Sequence, residues 1–243
     1  MAGQRNSIAL FLYEKNTIKQ QICLAQLAAT RNHQIESLLF QGWKALNFPK
    51  PVYNIGLRDI VLPDIRGWMD AFPGVTVISC EDHNDLAPVL EMQNASMGVI
   101  LGARIIKQHI IDCFPKGIIN IHPGALPENR GLDNFKWALF KNIPMKITAH
   151  LIDSAIDRGR KICELTVPLF KTDTIDSFHA RMMFAQANVM EQAIELVSLS
   201  TDVEKDFPPF VDHGVYHKTM PEDLERGLYE AFESYKKRFG LSV

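Results

Sequence analysis

The sequence predicts an α/β fold: a Rossmann-like, mostly parallel sheet flanked by helices, with a short C-terminal strand and helix added. Three observations carry this. The apolar runs at Ser7–Tyr13 and at residues 75–80, 97–101 and 118–121 are short and nearly continuous, as in strands buried on both faces. Segments of helical periodicity separate them, giving the alternation of a parallel sheet. Polar residues gather where the apolar runs stop, the edge at which open α/β sheets bind ligands.

Taken in order, Ser7–Tyr13 is the first central strand, and Asn16 is placed to cap a helix whose apolar side holds Ile18, Ile22, Leu24, Leu27 and Ala28. Residues 35–40 fit a strand or a helix, and residues 52–62 are irregular and flanked by prolines. A short helix is expected at 65–72, a strand at 75–80, a helix at 83–91 and a strand at 97–101 ending at Gly102. A helix at 107–113 leads into the strand 118–121, which Pro123, Gly124 and Pro127 end at once. A helix follows at 133–141, with Phe135, Ala138 and Leu139 inward and Trp137 read as core. Strands are expected at 147–152 and, after a turn-rich loop, at 161–169. The long helix at 173–199 has Ile175, Phe178, Met182, Ala185, Val189 and Ala193 as its buried stripe. Beyond residue 200 the pattern weakens. Residues 1–203 read as a catalytic domain and 204–243 as a small extension, with a strand near 214–218 and a charged amphipathic helix at 221–239.

Composition narrows the function classes. The 243 residues are 47% hydrophobic and 22% charged, ordinary for a globular protein. A net charge of −2 leaves no basic footprint for nucleic acid. The four cysteines form no CxxC pair or metal spacing, and no metal site is expected from the histidines either. With no signal peptide and no membrane-length apolar run, a cytoplasmic protein away from membranes is expected.

The chemistry concentrates in G-I-I-N-I-H-P-G-A-L-P-E-N-R-G, residues 117–131. Asn120 and His122 are two apart on a strand, so they point to one face at its carboxyl end. Downstream, Asp153 and Asp157 lie in the loop D-S-A-I-D-R-G. Asn, His and Asp together are a proton-handling set. Read alone, Asp157 before Gly159 is a turn residue, and His150 is a structural histidine facing the core.

The pattern N-I-H-P-G-x-L-P-x-x-R-G followed by T-A-H-L-I-D-x-x-I-D-x-G resembles the signature of formyltransferases that use N10-formyltetrahydrofolate. The resemblance covers residues 97–169 well and the flanks only generally. It implies a catalytic triad of Asn120, His122 and Asp157. It further implies a folate pocket walled by Arg104, Ile105, Ile106 and Ile111, with Asp153 shaping the folate loop, and substrate contacts at Gly124 and Arg130. One departure is Lys146, where many members carry glycine.

The resemblance also bears on the acceptor amine. Glycinamide ribonucleotide formyltransferases cradle the substrate phosphate in a Gly-rich loop after the first strand; here that stretch, Tyr13 to Thr17, has no glycine. Transfer RNA is disfavoured by the acidic balance and by an extension too short for a second domain. The tail G-V-Y-x-x-x-x-P-E-D is similar to the end of sugar N-formyltransferases. The expected acceptor is therefore a nucleotide-linked amino sugar, and the resemblance adds an expected homodimer. N-hydroxyornithine and glycinamide ribonucleotide remain alternative acceptors. A formyltetrahydrofolate hydrolase or a non-catalytic folate-binding module is the alternative of a different class; the hydrolase is disfavoured because its relatives carry an amino-terminal regulatory domain.

Overall fold

The computed structural model describes residues 7–45, 49–57, 59–154, 159–212 and 214–242. In chain order the elements are β1 (Ser7–Tyr13), α1 (Ile18–Thr30), β2 (Gln34–Gln41), β3 (Thr76–Cys80), α2 (Ala87–Leu90), β4 (Met97–Ile100), α3 (Gln108–Ile111), β5 (Ile118–His122) and β6 (Arg130–Gly131). They continue with α4 (Asn134–Lys141), β7 (Lys146–Leu151), β8 (Arg160–Thr166), α5 (Ile175–Leu199), α6 (Val203–Asp206), β9 (Tyr216–His217), α7 (Glu222–Glu225) and α8 (Leu228–Phe239). Short 3₁₀ turns occupy Ile65–Ala71 and His83–Asp85.

A seven-stranded sheet runs in the order β3-β2-β1-β4-β5-β7-β8. The strands from β3 to β5 are parallel neighbours, while β7 and β8 pair antiparallel at one side. The fold is therefore the expected Rossmann-like one, with a mixed edge. Burial on both faces explains the unbroken apolar runs. In β1, Ile8, Leu10 and Leu12 enter a core shared with α1, α5 and α8. Ala9 and Phe11, pointing the other way, enter a second core with α2 and α3. Each fully buried side chain of this size stabilises the fold by about 1.5–3 kcal/mol.

Several expectations need correction. Asn16 does not cap α1. Thr17 has the extended backbone of a cap and accepts from the Gln20 amide at 3.3 Å, whereas Asn16 Oδ1 accepts from the Ile65 amide at 2.8 Å. The stretch 83–91 is a 3₁₀ turn and one helical turn, because Pro88 cannot donate inside a continuous helix. The charged helix at 221–239 is broken into α7 and α8 around Gly227. The ambiguous segment at 35–40 is the buried strand β2. The stripe on α5 is buried as its spacing requires. Trp137 is half-buried and stacks on His217, its Nε1 donating to the Lys218 carbonyl at 2.8 Å.

The second, two-stranded ladder matters for the site. β6 pairs with β9 in parallel, Arg130 opposite Tyr216 and Gly131 opposite His217. Gly131 has φ +92°, and a Cβ there would lie 2.2 Å from the His217 carbonyl oxygen, so this close approach requires glycine. The ladder brings the extension onto the loop that follows His122.

Candidate active site

β5 ends in the middle of the sheet, between β4 and β7, so its last residues open at the carboxyl edge. Asn120 lies opposite His150 in the antiparallel register, and its Nδ2 donates to His150 Nε2 at 3.1 Å. A nitrogen that accepts carries no proton, so the His150 hydrogen is on Nδ1. His150 is fully buried. The sequence reading of a structural histidine thus holds, with an addition: it orients the Asn120 amide.

His122 is also buried, and its Nε2 donates to the Asn129 carbonyl at 2.8 Å. Asn134 Nδ2 donates to that same oxygen at 2.9 Å, and Asn129 Nδ2 returns a bond to the Asn134 carbonyl at 2.8 Å. The bond to the carbonyl places a hydrogen on His122 Nε2 and fixes the ring.

Gly124 fixes this arrangement by lacking a side chain. A Cβ there would lie 2.9 Å from His122 Nε2 and 3.0 Å from the Asn129 oxygen. The Gly124 carbonyl accepts from Thr148 Oγ1 at 2.8 Å, which ties the turn to β7. From the opposite side Lys19 Nζ donates to the Ile121 carbonyl at 2.9 Å, linking α1 to the strand tip.

A cleft of about 690 Å³ opens beside this edge. Asn120, His150, Arg104, Ile105, Ile106 and Asp153 all line it, so strand tip, upstream loop and downstream loop converge. Asn84 shapes the upstream loop: its Nδ2 donates to the Ile105 carbonyl at 2.9 Å and its Oδ1 accepts from the Lys107 amide at 2.7 Å. Ile105 is exposed to the cleft and Ile106 is buried behind it. Ile111 lies elsewhere. It is buried in the second core beside Ile110 and Phe114, because α3 turns that face inward. The Arg104 guanidinium turns to the Lys44 carbonyl and lies 5.5 Å from the centre of the Trp43 ring, whose edge-on neighbour Tyr13 also lines the cleft. Burial pushes the Tyr13 hydroxyl above its ordinary value, with Arg104 pulling the other way.

Arg130 is buried on β6, 6.0 Å from the Tyr216 ring, rather than displayed in the cleft. Asp157 lies outside the described residues. The reading from sequence missed Tyr216 and Leu132, both in the cleft wall, together with Asn129, Asn134 and Thr148. Thr148 carried a signal, since it is two residues before His150 and so on the same strand face. Tyr216 carried none, because only the β6–β9 ladder brings it here.

Ile100, Ile105 and Ile152 give the cleft apolar walls, while Asp82, Asn84 and Asp153 supply polar groups. Among the described residues no group of His, Cys, Asp and Glu could hold a metal ion.

Residues 78–194 match the family model described as formyl transferase. A methionyl-tRNA formyltransferase from Elusimicrobium minutum is 29% identical over 163 residues, 61% of this chain and 46% of that protein. The chain thus spans about half the length of that curated relative. A sugar N-formyltransferase from Shewanella sp. superposes with a TM-score of 0.56 at 18% identity, covering 86% of this chain and 76% of that one. A phosphoribosylglycinamide formyltransferase from Brucella melitensis gives 0.61 at 18%, covering 82% and 98%. At such identity these likenesses are of fold.

Proposed function

We propose that this chain, which belongs to the formyl transferase family through residues 78–194, moves the formyl group of N10-formyltetrahydrofolate to the amine of a small substrate, a nucleotide-linked amino sugar. The observation that carries the reading is the opening of Asn120 and its partner His150 onto the cleft shared by Arg104, Ile105, Ile106 and Asp153, with His122 two residues further along the same strand.

The chemistry asks for these residue types. The neutral amine attacks the formyl carbon and forms a C–N bond. The carbonyl oxygen takes the electron pair and must be met by donors already in place, each worth about 10²–10³ in rate. Asn120 supplies an amide N–H, its orientation set by His150. His122, fixed through Nε2, supplies a donor at Nδ1 when protonated. Asp157 is assigned to favour the protonated His122 and to take the proton from the attacking nitrogen. Collapse of the intermediate breaks the bond to N10, which receives that proton, releasing tetrahydrofolate and the N-formyl product.

Support for the sugar acceptor comes from the G-V-Y tail, whose Tyr216 pairs with Arg130 beside the cleft. The loop after β1 has no glycine to cradle a phosphate, unlike the ribonucleotide enzymes the sequence resembles. The test is release of tetrahydrofolate measured with nucleotide-linked amino sugars, glycinamide ribonucleotide, N-hydroxyornithine and no amine. Turnover with an amino sugar, reduced about 10²–10³-fold in His122→Asn, is expected. Turnover with another amine alone replaces the substrate, and formate release without any amine replaces transfer by hydrolysis.

A further inference from the structure

The carbonyl of Ile121, the residue before His122, lacks the partner that its sheet would give it. The Gly98 amide of β4 donates to the Gly117 carbonyl at 3.0 Å, and a parallel ladder repeats every two residues. In that step the Ile100 amide meets the Ile119 carbonyl, and the Gly102 amide would come next onto Ile121. Instead Leu101 and Gly102 both turn to β1 and donate to the Phe11 carbonyl, each at 3.0 Å. Ile121 is buried, and a buried carbonyl must find a donor. Lys19, on α1, supplies it, with Nζ 2.9 Å from that oxygen.

The neighbouring structure aims Lys19 at this oxygen. Gln20, the next residue on α1, is fully buried. Its Nε2 donates to the Tyr13 carbonyl at 3.0 Å and to the Lys15 carbonyl at 3.3 Å, and its Oε1 accepts from the Tyr13 amide at 3.3 Å. These bonds close the loop between β1 and α1 and fix the first turn of the helix. Gly102 fits under that side chain: a Cβ there would lie 2.5 Å from Gln20 Oε1 and 2.7 Å from the Tyr13 ring. The packing that keeps Gly102 beside β1, away from β5, thus also holds the helix that carries Lys19. An ionised donor makes a stronger bond than the ladder amide it replaces. That bond grips the peptide from which His122 projects.

We propose that Lys19 is a positioning residue for formyl transfer: its ammonium replaces the missing β4 amide at the Ile121 carbonyl and so holds the strand tip that carries His122. The assignment deepens the function proposed above and rests on that reading for the word transfer. The ladder with β4 stops at Asn120, while that with β7 runs on to His122, opposite Thr148. Lys19 supplies the hold on the β4 side. A reacting group misplaced by about 1 Å costs about 10²-fold in rate, so kcat is the quantity this hold sets.

The test compares Lys19→Met with Lys116→Met; each keeps an apolar stem and removes the donor. Lys116 does the same kind of work just before β5 begins, its Nζ donating to the Val197, Ser198 and Ser200 carbonyls at 3.1, 2.7 and 3.0 Å. Both variants should melt below the wild type. Ile121–His122 is the single Ile-His pair of the sequence, so ¹³C at isoleucine carbonyls and ¹⁵N in histidine give one carbonyl–amide cross-peak, from this peptide. In Lys19→Met the carbon signal should move upfield, as for a carbonyl that loses a hydrogen bond. kcat should fall about tenfold to 10²-fold, with both KM values within about twofold of the wild type. Lys116→Met should keep the wild-type peak and kcat. An unmoved peak, an unchanged kcat, a loss carried by KM, or an equal loss of kcat in Lys116→Met overturns the proposal. If Lys19→Met does not fold, Lys19→Gln takes its place under the same criteria. No transfer by the wild type to any amine defeats the function proposed above. The hold on His122 is then read from its ring ¹⁵N signals, assigned through His122→Asn. They should change in Lys19→Met and not in Lys116→Met, and unchanged ring signals overturn the positioning.

Discussion

At the scale of single residues, the site depends on one missing methyl group. A Cβ on Gly124 would press on the His122 ring and on the carbonyl that holds it, and neither can swing away. Gly124→Ala is therefore expected to fold, since no positive φ is required there, but to misplace His122. A displacement of this kind costs about 10²-fold in kcat. Steady-state kinetics on both substrates should show the loss in kcat, with the folate KM unchanged; a variant with normal kcat would show that the His122–Asn129 bond is not needed. The predicted loss would make Gly124 a positioning residue; the sequence suggested a substrate contact there. The strand tip itself was legible, because period two places Asn120 and His122 on one face and the prolines end the strand. The Asn120–His150 bond was not, because it needs the antiparallel register of β5 with β7, and a sequence does not show which strands are neighbours. Ile111 was misplaced for a related reason: on a single helical turn, apolar residues toward a cleft and toward a core look alike.

At the scale of elements, the start of α5 shows how local chemistry anchors a long helix. Asp173 accepts from the Phe170 amide at 2.8 Å, from Ser177 Oγ at 2.8 Å and from both guanidinium nitrogens of Arg181 at 2.6 and 2.8 Å. Burial pushes the carboxyl up, but these donors win and hold it at about 2 against an ordinary 3.8. A carboxyl lowered on folding stabilises the fold above its ordinary value, and the gain is lost as pH falls through the lowered one. The shift corresponds to about 2 kcal/mol. Asp173→Asn should lower the melting temperature at neutral pH, and the gap to the wild type should close as the pH approaches about 2. A gap that stays constant down to that pH would mean the pairing is not its cause. The Thr174–Ser177 capping box on the same turn follows from sequence spacing, whereas Arg181, eight residues on, is found only by folding the chain. The β6–β9 ladder makes a second element-scale prediction. Gly131→Ala puts a Cβ against the His217 carbonyl at a positive φ. It should destabilise by more than about 1 kcal/mol and raise the folate KM, because Tyr216 leaves the cleft wall. Thermal melts and folate titrations check both effects, and an unchanged KM would exclude Tyr216 from folate binding.

At the scale of the whole molecule, the change in pattern after residue 200 reads in the sequence as the edge of an appended piece. The packing points to a stronger dependence. Phe207, Leu228, Phe232 and Tyr235 belong to the same core as β1, α1 and α5. Tyr235, raised to about 12 by burial, donates its hydroxyl to the Ile143 carbonyl at 2.9 Å and accepts from the Met145 amide at 2.8 Å, where α4 passes into β7. Periodicity marked this helix as amphipathic but could not say which core receives its apolar face. Leu228, Phe232 and Tyr235 together represent about 5–9 kcal/mol of burial. The net stability of a typical domain is about 5–15 kcal/mol. We therefore propose that 204–243 folds with 1–203 as one cooperative unit, and that a chain ended at residue 203 does not reach a packed state. Near-ultraviolet circular dichroism and a thermal scan of residues 1–203 should show neither fixed aromatic packing nor a sharp transition. A sharp melt within a few degrees of the full chain would make the extension a separable addition. Tyr216 reaches the cleft from this stretch. A packed but shortened chain would thus provide a second readout, having lost that wall while keeping Asn120 and His122.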